Sequence, residues 1–273
     1  MSRIKSCMAA THAAGRKALI PYIVAGDPDH DTTVSLMHQL VRDGADIIEL
    51  GMPFSDPSSD GAVIQLGAER ALRNGAGLDT VFSVVSQFRQ QDNKTPVVLM
   101  GYLNPVEIMG YEAFVEQSAQ AGVDGLLLVD LPVSEAESLL ALTRPRDIDV
   151  VFLVAPTTTD KRIAAICQHS SGYIYYVSLK GVTGAAISDT GDIGRRVEGL
   201  RSQTDLPIMV GFGIKDNASA LAMAAVSDGV IIGSALVQKI GELSDSKARD
   251  AGRIADSTAL IASIRQALDG ASA

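Results

Sequence analysis

The sequence predicts a (β/α)8 barrel, and three observations carry the prediction. Short β-rich runs alternate with longer helical patterns from end to end, the signature of parallel βα units. Eight such runs occur, each followed by a helical pattern. The length, 273 residues, suits one such barrel, and no linker, low-complexity stretch or shift of composition marks a second unit, so residues 1–273 are expected to form a single domain. The alternative is a doubly wound open sheet, but that fold opens with a glycine-rich dinucleotide turn, and the turn after the first run here reads AGDPD.

Residues 2–14 predict a short extra helix ahead of the barrel. ALIPYIVAG (18–26) is the first strand; DPDHD then caps a helix whose apolar Val34, Met37, Leu40 and Val41 have helical spacing. DIIELGMP (46–53) is the second strand, followed by helices over 63–74 and 78–90 with a turn at 74–77 between them. PVVLMGYLNP (96–105) is the third, with a helix over 112–121, and GLLLVDLP (125–132) the fourth, with a helix over 134–143. DVVFLVAP (149–156) is the fifth, and Thr158 or Thr159 is expected to cap the helix after it. YIYYVSLKG (173–181), LPIMVGFGI (206–214) and DGVIIGSAL (228–236) complete the set; SALVQKI adds a short helix, and a long one closes the chain near 248–269.

With 47% hydrophobic and 20% charged residues the chain can bury a large core, and a net charge of −9 argues for a soluble protein with neither nucleic acid nor an anionic membrane as partner. Cys7 and Cys167 suit a reducing, cytoplasmic setting and offer neither a disulfide framework nor metal spacing. No signal peptide opens the chain and no apolar run is long enough to span a bilayer. His12, His30, His38 and His169 are scattered over expected helices and their caps, with no catalytic or zinc pairing.

Barrel chemistry collects at the carboxyl ends of the strands. Within DIIELGMPFSDPSSDG (46–61), Glu49 interrupts the buried run of Ile47, Ile48 and Leu50, where an ionised carboxylate is costly unless it has a task. The polar loop beyond Gly51 and Pro53 carries Asp60, and folding back would bring it over the same pocket as Glu49. At the opposite side, GFGI after the seventh strand (Phe212, Gly213) and IIGSA after the eighth (Ile232, Gly233, Ser234) form a candidate phosphate cradle, with Ser234 opening a helix. The loop GVTGAAISDTGD (181–192) reads as a lid that excludes water, with Thr183 reaching toward Asp60. Alternation along the strands puts Tyr22, Met100, Leu127, Leu153, Tyr175 and Ile232 around the mouth, and Tyr102 and Tyr175 bring hydroxyls that need partners.

ELGMPFSDPSSDGAVIQ, together with PYIVAGDPD, MGYLNPV, LLLVDLP, GVTGA, GFGI and GSALV in that order, resembles the signature of the tryptophan synthase α subunit family over about residues 3–269. The resemblance implies a (β/α)8 lyase of tryptophan biosynthesis that splits indole-3-glycerol phosphate into indole and D-glyceraldehyde 3-phosphate without a cofactor. It also implies an α2β2 heterotetramer whose β subunit carries pyridoxal phosphate. By motif, Glu49 and Asp60 match the catalytic carboxylates, and Gly184, Gly213, Gly233 and Ser234 match the phosphate contacts. Ser59 and Ala62 stand where the family pattern has Ala and Pro, Tyr22 replaces a more usual Phe, and Lys180 precedes GVTG.

A carboxyl group whose pKa an apolar pocket has raised can give a proton to indole C3 and take one from the neighbouring hydroxyl. Glu49 suits that role, and an ionised Asp60 suits the ring N–H and the charge that builds there. Three other readings compete: a Schiff-base aldolase using Lys180, a divalent-metal lyase using Glu49, Asp56 and Asp60, and a phosphate-binding barrel that only regulates a partner through the surface 53–60 and 104–111.

Overall fold

The computed structural model describes residues 2–177, 190–211, 213–244 and 250–272. In chain order the elements are α1 (Arg3–Ala13), β1 (Ala18–Val24), α2 (His30–Arg42), β2 (Ile48–Gly51), α3 (Ala62–Arg73), α4 (Leu78–Arg89) and β3 (Val97–Gly101). Then come α5 (Leu103–Met109), α6 (Tyr111–Ala121), β4 (Gly125–Leu128), α7 (Glu137–Thr143), β5 (Asp149–Val150), β6 (Leu153–Val154) and α8 (Asp160–His169). The last third holds β7 (Ile174–Val177), α9 (Thr190–Arg201), β8 (Ile208–Gly211), α10 (Asn217–Ala224), β9 (Gly229–Ile232), α11 (Ser234–Gly241) and α12 (Ala251–Ser272).

All the pairings are parallel, in the order β5-β4-β3-β2-β1-β9-β8-β7-β6. The two ends of that order are halves of one stave. β5 pairs with β4 and β6 with β7, and between them the Val151 N–H donates to Leu126 O at 2.9 Å while Phe152 O accepts from the Tyr175 N–H at 3.2 Å. The sheet therefore closes on itself through residues 149–154, and the eight expected strands become the staves of a (β/α)8 barrel.

Strand alternation divides the apolar residues into two layers. Ile23, Ile48, Leu50, Leu99, Leu126, Val210 and Val230 pack outward against the helices in the largest core cluster. Ile20, Ile47, Val98, Leu127, Val151, Tyr173, Tyr175, Met209 and Ile231 fill the interior, with Ile4 and Met8 of α1 plugging its amino end. The α1 plug is set by Ser2, whose hydroxyl accepts from the Lys5 N–H at 3.2 Å.

One expectation about the elements needs correction. The third strand stops at Gly101, and LNP, read as its continuation, starts α5; Pro105 sits in the first turn of that helix, where its missing N–H costs nothing. Thr159 holds the cap position of α8 as expected, though without a side-chain bond, and Thr158 Oγ1 accepts from the Ala155 N–H at 2.9 Å. The cap of α2 is as expected, Asp29 accepting from the Thr32 N–H at 2.8 Å. Most of the lid expected over 181–192 lies outside the described residues, its last three residues opening α9.

Candidate active site

Glu49 lies at the carboxyl end of β2 on the inward parity, in register with Tyr22 on one side and Val98 on the other. Its neighbours Ile48 and Leu50 turn outward into the helical layer, so the strand holds the carboxyl inside the barrel. The group is fully buried. Oε1 accepts from the Tyr173 hydroxyl at 2.6 Å, while Oε2 has no hydrogen-bond partner among the described residues. Burial pushes this carboxyl up to about 7, and the Tyr173 hydrogen bond only partly opposes the shift.

Asp60 arrives from the opposite direction, on the loop between β2 and α3. Short local bonds shape that loop: Ser58 N–H to Asp56 O at 2.8 Å and Asp60 N–H to Pro57 O at 3.0 Å. Gln65 of α3 reaches back to Asp60 O at 2.8 Å. The Tyr102 hydroxyl accepts from the Ser59 N–H at 3.0 Å, and the Phe54 ring lies 5.5 Å from the Tyr102 ring. Burial raises Asp60 to about 6, and hydrogen bonding to Tyr102 pulls the other way. Glu49 therefore keeps its proton to higher pH than Asp60, which is the more readily ionised of the two.

The loop does fold back over the strand. Tyr22 and Tyr175 are both driven well above the ordinary phenol range, first by burial and then by the same two carboxyls, Asp60 before Glu49 for Tyr22 and Glu49 before Asp60 for Tyr175. Both acids therefore lie near enough to the same two phenols to act on each. Two glycines make room for the rings: a Cβ on Gly51 would overlap the Tyr22 hydroxyl, and one on Gly211 would overlap that of Tyr175. Met100, Leu127 and Leu153 complete an apolar wall, with Val129 and Val177 packed on the same interior cluster.

Ile232 does not belong to that wall. The inward residues form register chains, Ile20 with Ile231 and Ile231 with Gly211, whereas Ile232 pairs with Pro21 on the other parity and is buried in the outer layer. The lining residue is Ile231. VII offers no polar residue to fix the phase, and only the register to β1 and β8 decides it. Tyr173 was also missed as a partner of Glu49; one turn of strand alternation below Tyr175, it shares the inward parity, and that was the available signal.

At the far rim, Gly213 has φ +75°, a backbone that favours glycine. Gly233 caps α11 and its carbonyl accepts from the Leu236 and Val237 N–H groups at 2.9 and 3.0 Å. The Ser234 and Ala235 N–H groups begin the helix, where amides have no intrahelical acceptor and the dipole favours an anion. Thr183, Gly184, Phe212 and Lys180 lie outside the described residues. Among the described residues no group of three or more His, Cys, Asp or Glu side chains is arranged to hold a metal ion.

The geometry can therefore deliver and remove a proton at one buried carboxyl and hold a cationic ring nitrogen at another. Residues 8–265 match the family model described as tryptophan synthase alpha chain. The tryptophan synthase alpha chain of Marinobacter nauticus is 59% identical over 240 residues, covering 88% of this chain and 89% of that one. That of Thioalkalivibrio sulfidiphilus is 55% identical over 269 residues, covering 98% and 100%. Among solved structures, tryptophan synthase subunit alpha of Legionella pneumophila superposes with a TM-score of 0.90 at 44% identity, covering 99% of both chains.

Proposed function

The chain belongs to the tryptophan synthase alpha chain family, and from that premise we propose how its own residues divide the work of cleaving indole-3-glycerol phosphate. It is a lyase of tryptophan biosynthesis, and in our reading one barrel domain spans residues 1–273. Glu49 in its neutral form gives its proton to indole C3, and the ring becomes a cationic indolenine. Asp60, ionised, accepts the ring N–H and steadies the positive charge. The Glu49 carboxylate then takes the proton of the adjacent glycerol hydroxyl. The carbon–carbon bond breaks, its electron pair restores the indole ring, and the hydroxyl carbon becomes the aldehyde of D-glyceraldehyde 3-phosphate. Glu49 ends as it began, so protons and electrons balance without a cofactor or metal.

Gly213, Gly233 and Ser234 hold the phosphate in this reading, with Gly184 beside them and Thr183 closing on Asp60. Tyr22, Met100, Leu127, Tyr175, Phe212 and Ile231 enclose the ring. The observation that carries the assignment is Glu49 itself: fully buried, set near neutrality, with one oxygen engaged by Tyr173 and the other without a partner. The test is indole release by the purified chain with E49Q and D60N beside it. Each variant should lose roughly 10²-fold or more in kcat, the usual worth of a positioned acid or base. Substantial turnover in E49Q would end the assignment of Glu49, and full activity in D60N would mean that another group meets the ring nitrogen.

The partner we propose is a β subunit that carries pyridoxal phosphate, in an α2β2 assembly within the cytoplasm. The unpaired thiols Cys7 and Cys167 fit a reducing compartment, and among the described residues no helix is long and apolar enough to cross a membrane. The contact face is 53–60 and 104–111, where Ile108 of α5 stands 80% exposed. I108D should weaken association; unchanged association and mutual activation would move the interface elsewhere.

A further inference from the structure

Tyr102 was expected among the substrate-binding residues, but its surroundings give the hydroxyl a different task. The residue is 4% exposed and sits where β3 ends and α5 begins. Its backbone is pinned on both sides. Gly101 O accepts from the Val129 N–H at 2.9 Å, and the Leu103 N–H donates to Asp130 Oδ1 at 2.7 Å. The ring rests against Phe54, and the hydroxyl takes the amide of Ser59, the residue immediately before Asp60. Ser59 itself is exposed, so this tie to the barrel wall holds a segment that has little core contact of its own.

We propose that Tyr102 is the positioning residue for Asp60, its hydroxyl accepting the Ser59 N–H and donating its single hydrogen to the Asp60 carboxylate, so that one group on the rigid rim fixes both where that acid stands and that it stays ionised. The hydrogen count allows this division, with the Ser59 side chain as a further neighbour of the same hydroxyl. A phenol has one proton to give and lone pairs to receive; accepting from Ser59 leaves that proton for the carboxylate beside it. Donation to a carboxylate favours its charged form, and the effect of Tyr102 on Asp60 has that sign. The other titratable groups near Asp60 are Tyr22 on β1 and Tyr175 on β7, both of which also feel Glu49 on β2. Asp56 of the same loop takes the Ser55 hydroxyl. Tyr102 is the one of these phenols whose hydroxyl is also bound to the loop backbone.

The inference rests on the reading of Asp60 as the ring-nitrogen acid, and the experiment separates the two. Y102F keeps the ring against Phe54 and removes only the hydroxyl. Measured on the full chain, kcat should fall about 10-fold at neutral pH with KM changed less than about 2-fold. The acid limb of the kcat profile, where Asp60 takes up its proton, should move to higher pH. In a D60N background, Y102F should have no further effect on the residual rate. A uniform loss at every pH with the limb unmoved would mean that the hydroxyl only supports the fold. A raised KM with unchanged kcat would make it a substrate contact, and an unchanged rate would leave it without a role. Any of the three overturns the proposal. If D60N alone retains full activity, the Asp60 reading fails first, whatever Y102F does. Superimposable urea transitions for Y102F and the parent chain exclude global unfolding as the cause of a loss.

Discussion

Glu49→Gln should stabilise the protein at alkaline pH while abolishing its chemistry. Burial raises the Glu49 carboxyl from its ordinary 4.5 to about 7. At about 1.4 kcal/mol per pH unit of displacement, the ionised folded state is disfavoured by roughly 3 kcal/mol once both folded and unfolded chains are ionised. The sign follows from the raised value. The folded chain holds its proton longer than the unfolded one, so this contribution to stability is fully present below about 4.5, is lost as pH rises through about 7, and stays lost beyond. Gln has no charge to desolvate. Its oxygen can still accept from Tyr173, but its amide enters the place of Oε2, which lacks a partner, at a pH-independent cost of about 1–2 kcal/mol. The measurable quantity is thus the change with pH, in which that cost cancels. Urea unfolding of both proteins near pH 5 and near pH 9 should show the stability difference shifting in favour of E49Q by roughly 2–3 kcal/mol toward the alkaline condition. A difference that is flat with pH, or that shifts toward the acidic condition, would refute the claim that desolvation sets this carboxyl.

Y173F should raise the Glu49 pKa further, since the lost hydrogen bond favours the carboxylate; the alkaline limb of kcat should move upward, and an unmoved limb would mean that the 2.6 Å contact is absent in the working enzyme. R70A removes the guanidinium that meets both oxygens of Asp27 at 2.8 and 2.7 Å, on a carboxylate whose side chain is 1% exposed. Breaking such a pair from one side should cost about 3 kcal/mol or more in urea unfolding, and a loss below about 1 kcal/mol would show that the loop after β1 relaxes to hydrate Asp27.

The barrel was legible because hydrophobic runs and helical spacing repeat, and Glu49 because a carboxylate in an Ile-Ile-Glu-Leu run is costly without a role. Features that depend on contacts across the barrel were less legible. Ile231 and Ile232 are chemically identical, and only pairing with Ile20 and Gly211 selects the inward one. Tyr173 lies 124 residues from Glu49, and nothing local to either announces the bond between them. The helix at 103–109 was hidden by LNP, which reads as a strand exit until Tyr102 is seen as its cap. The break at Val151 and Phe152 is likewise invisible in DVVFLV.

The two acids are held by different kinds of structure, and that difference has a mechanical consequence. Glu49 is part of a strand paired on both sides, so its place is set by the sheet. Asp60 stands on a loop, and its tie to the wall runs through Tyr102, the residue that caps α5. α5 carries Ile108, and the same loop and helix make up the partner face proposed above. A force applied at that face reaches Asp60 across a few bonded residues but reaches Glu49 only by deforming the sheet. Partner binding should therefore act on the step in which the ring nitrogen becomes cationic, raising kcat and moving the acid limb, while the alkaline limb set by buried Glu49 stays where it is. If the partner instead shifted the alkaline limb alone, the coupling would have to run through the sheet and not through this loop.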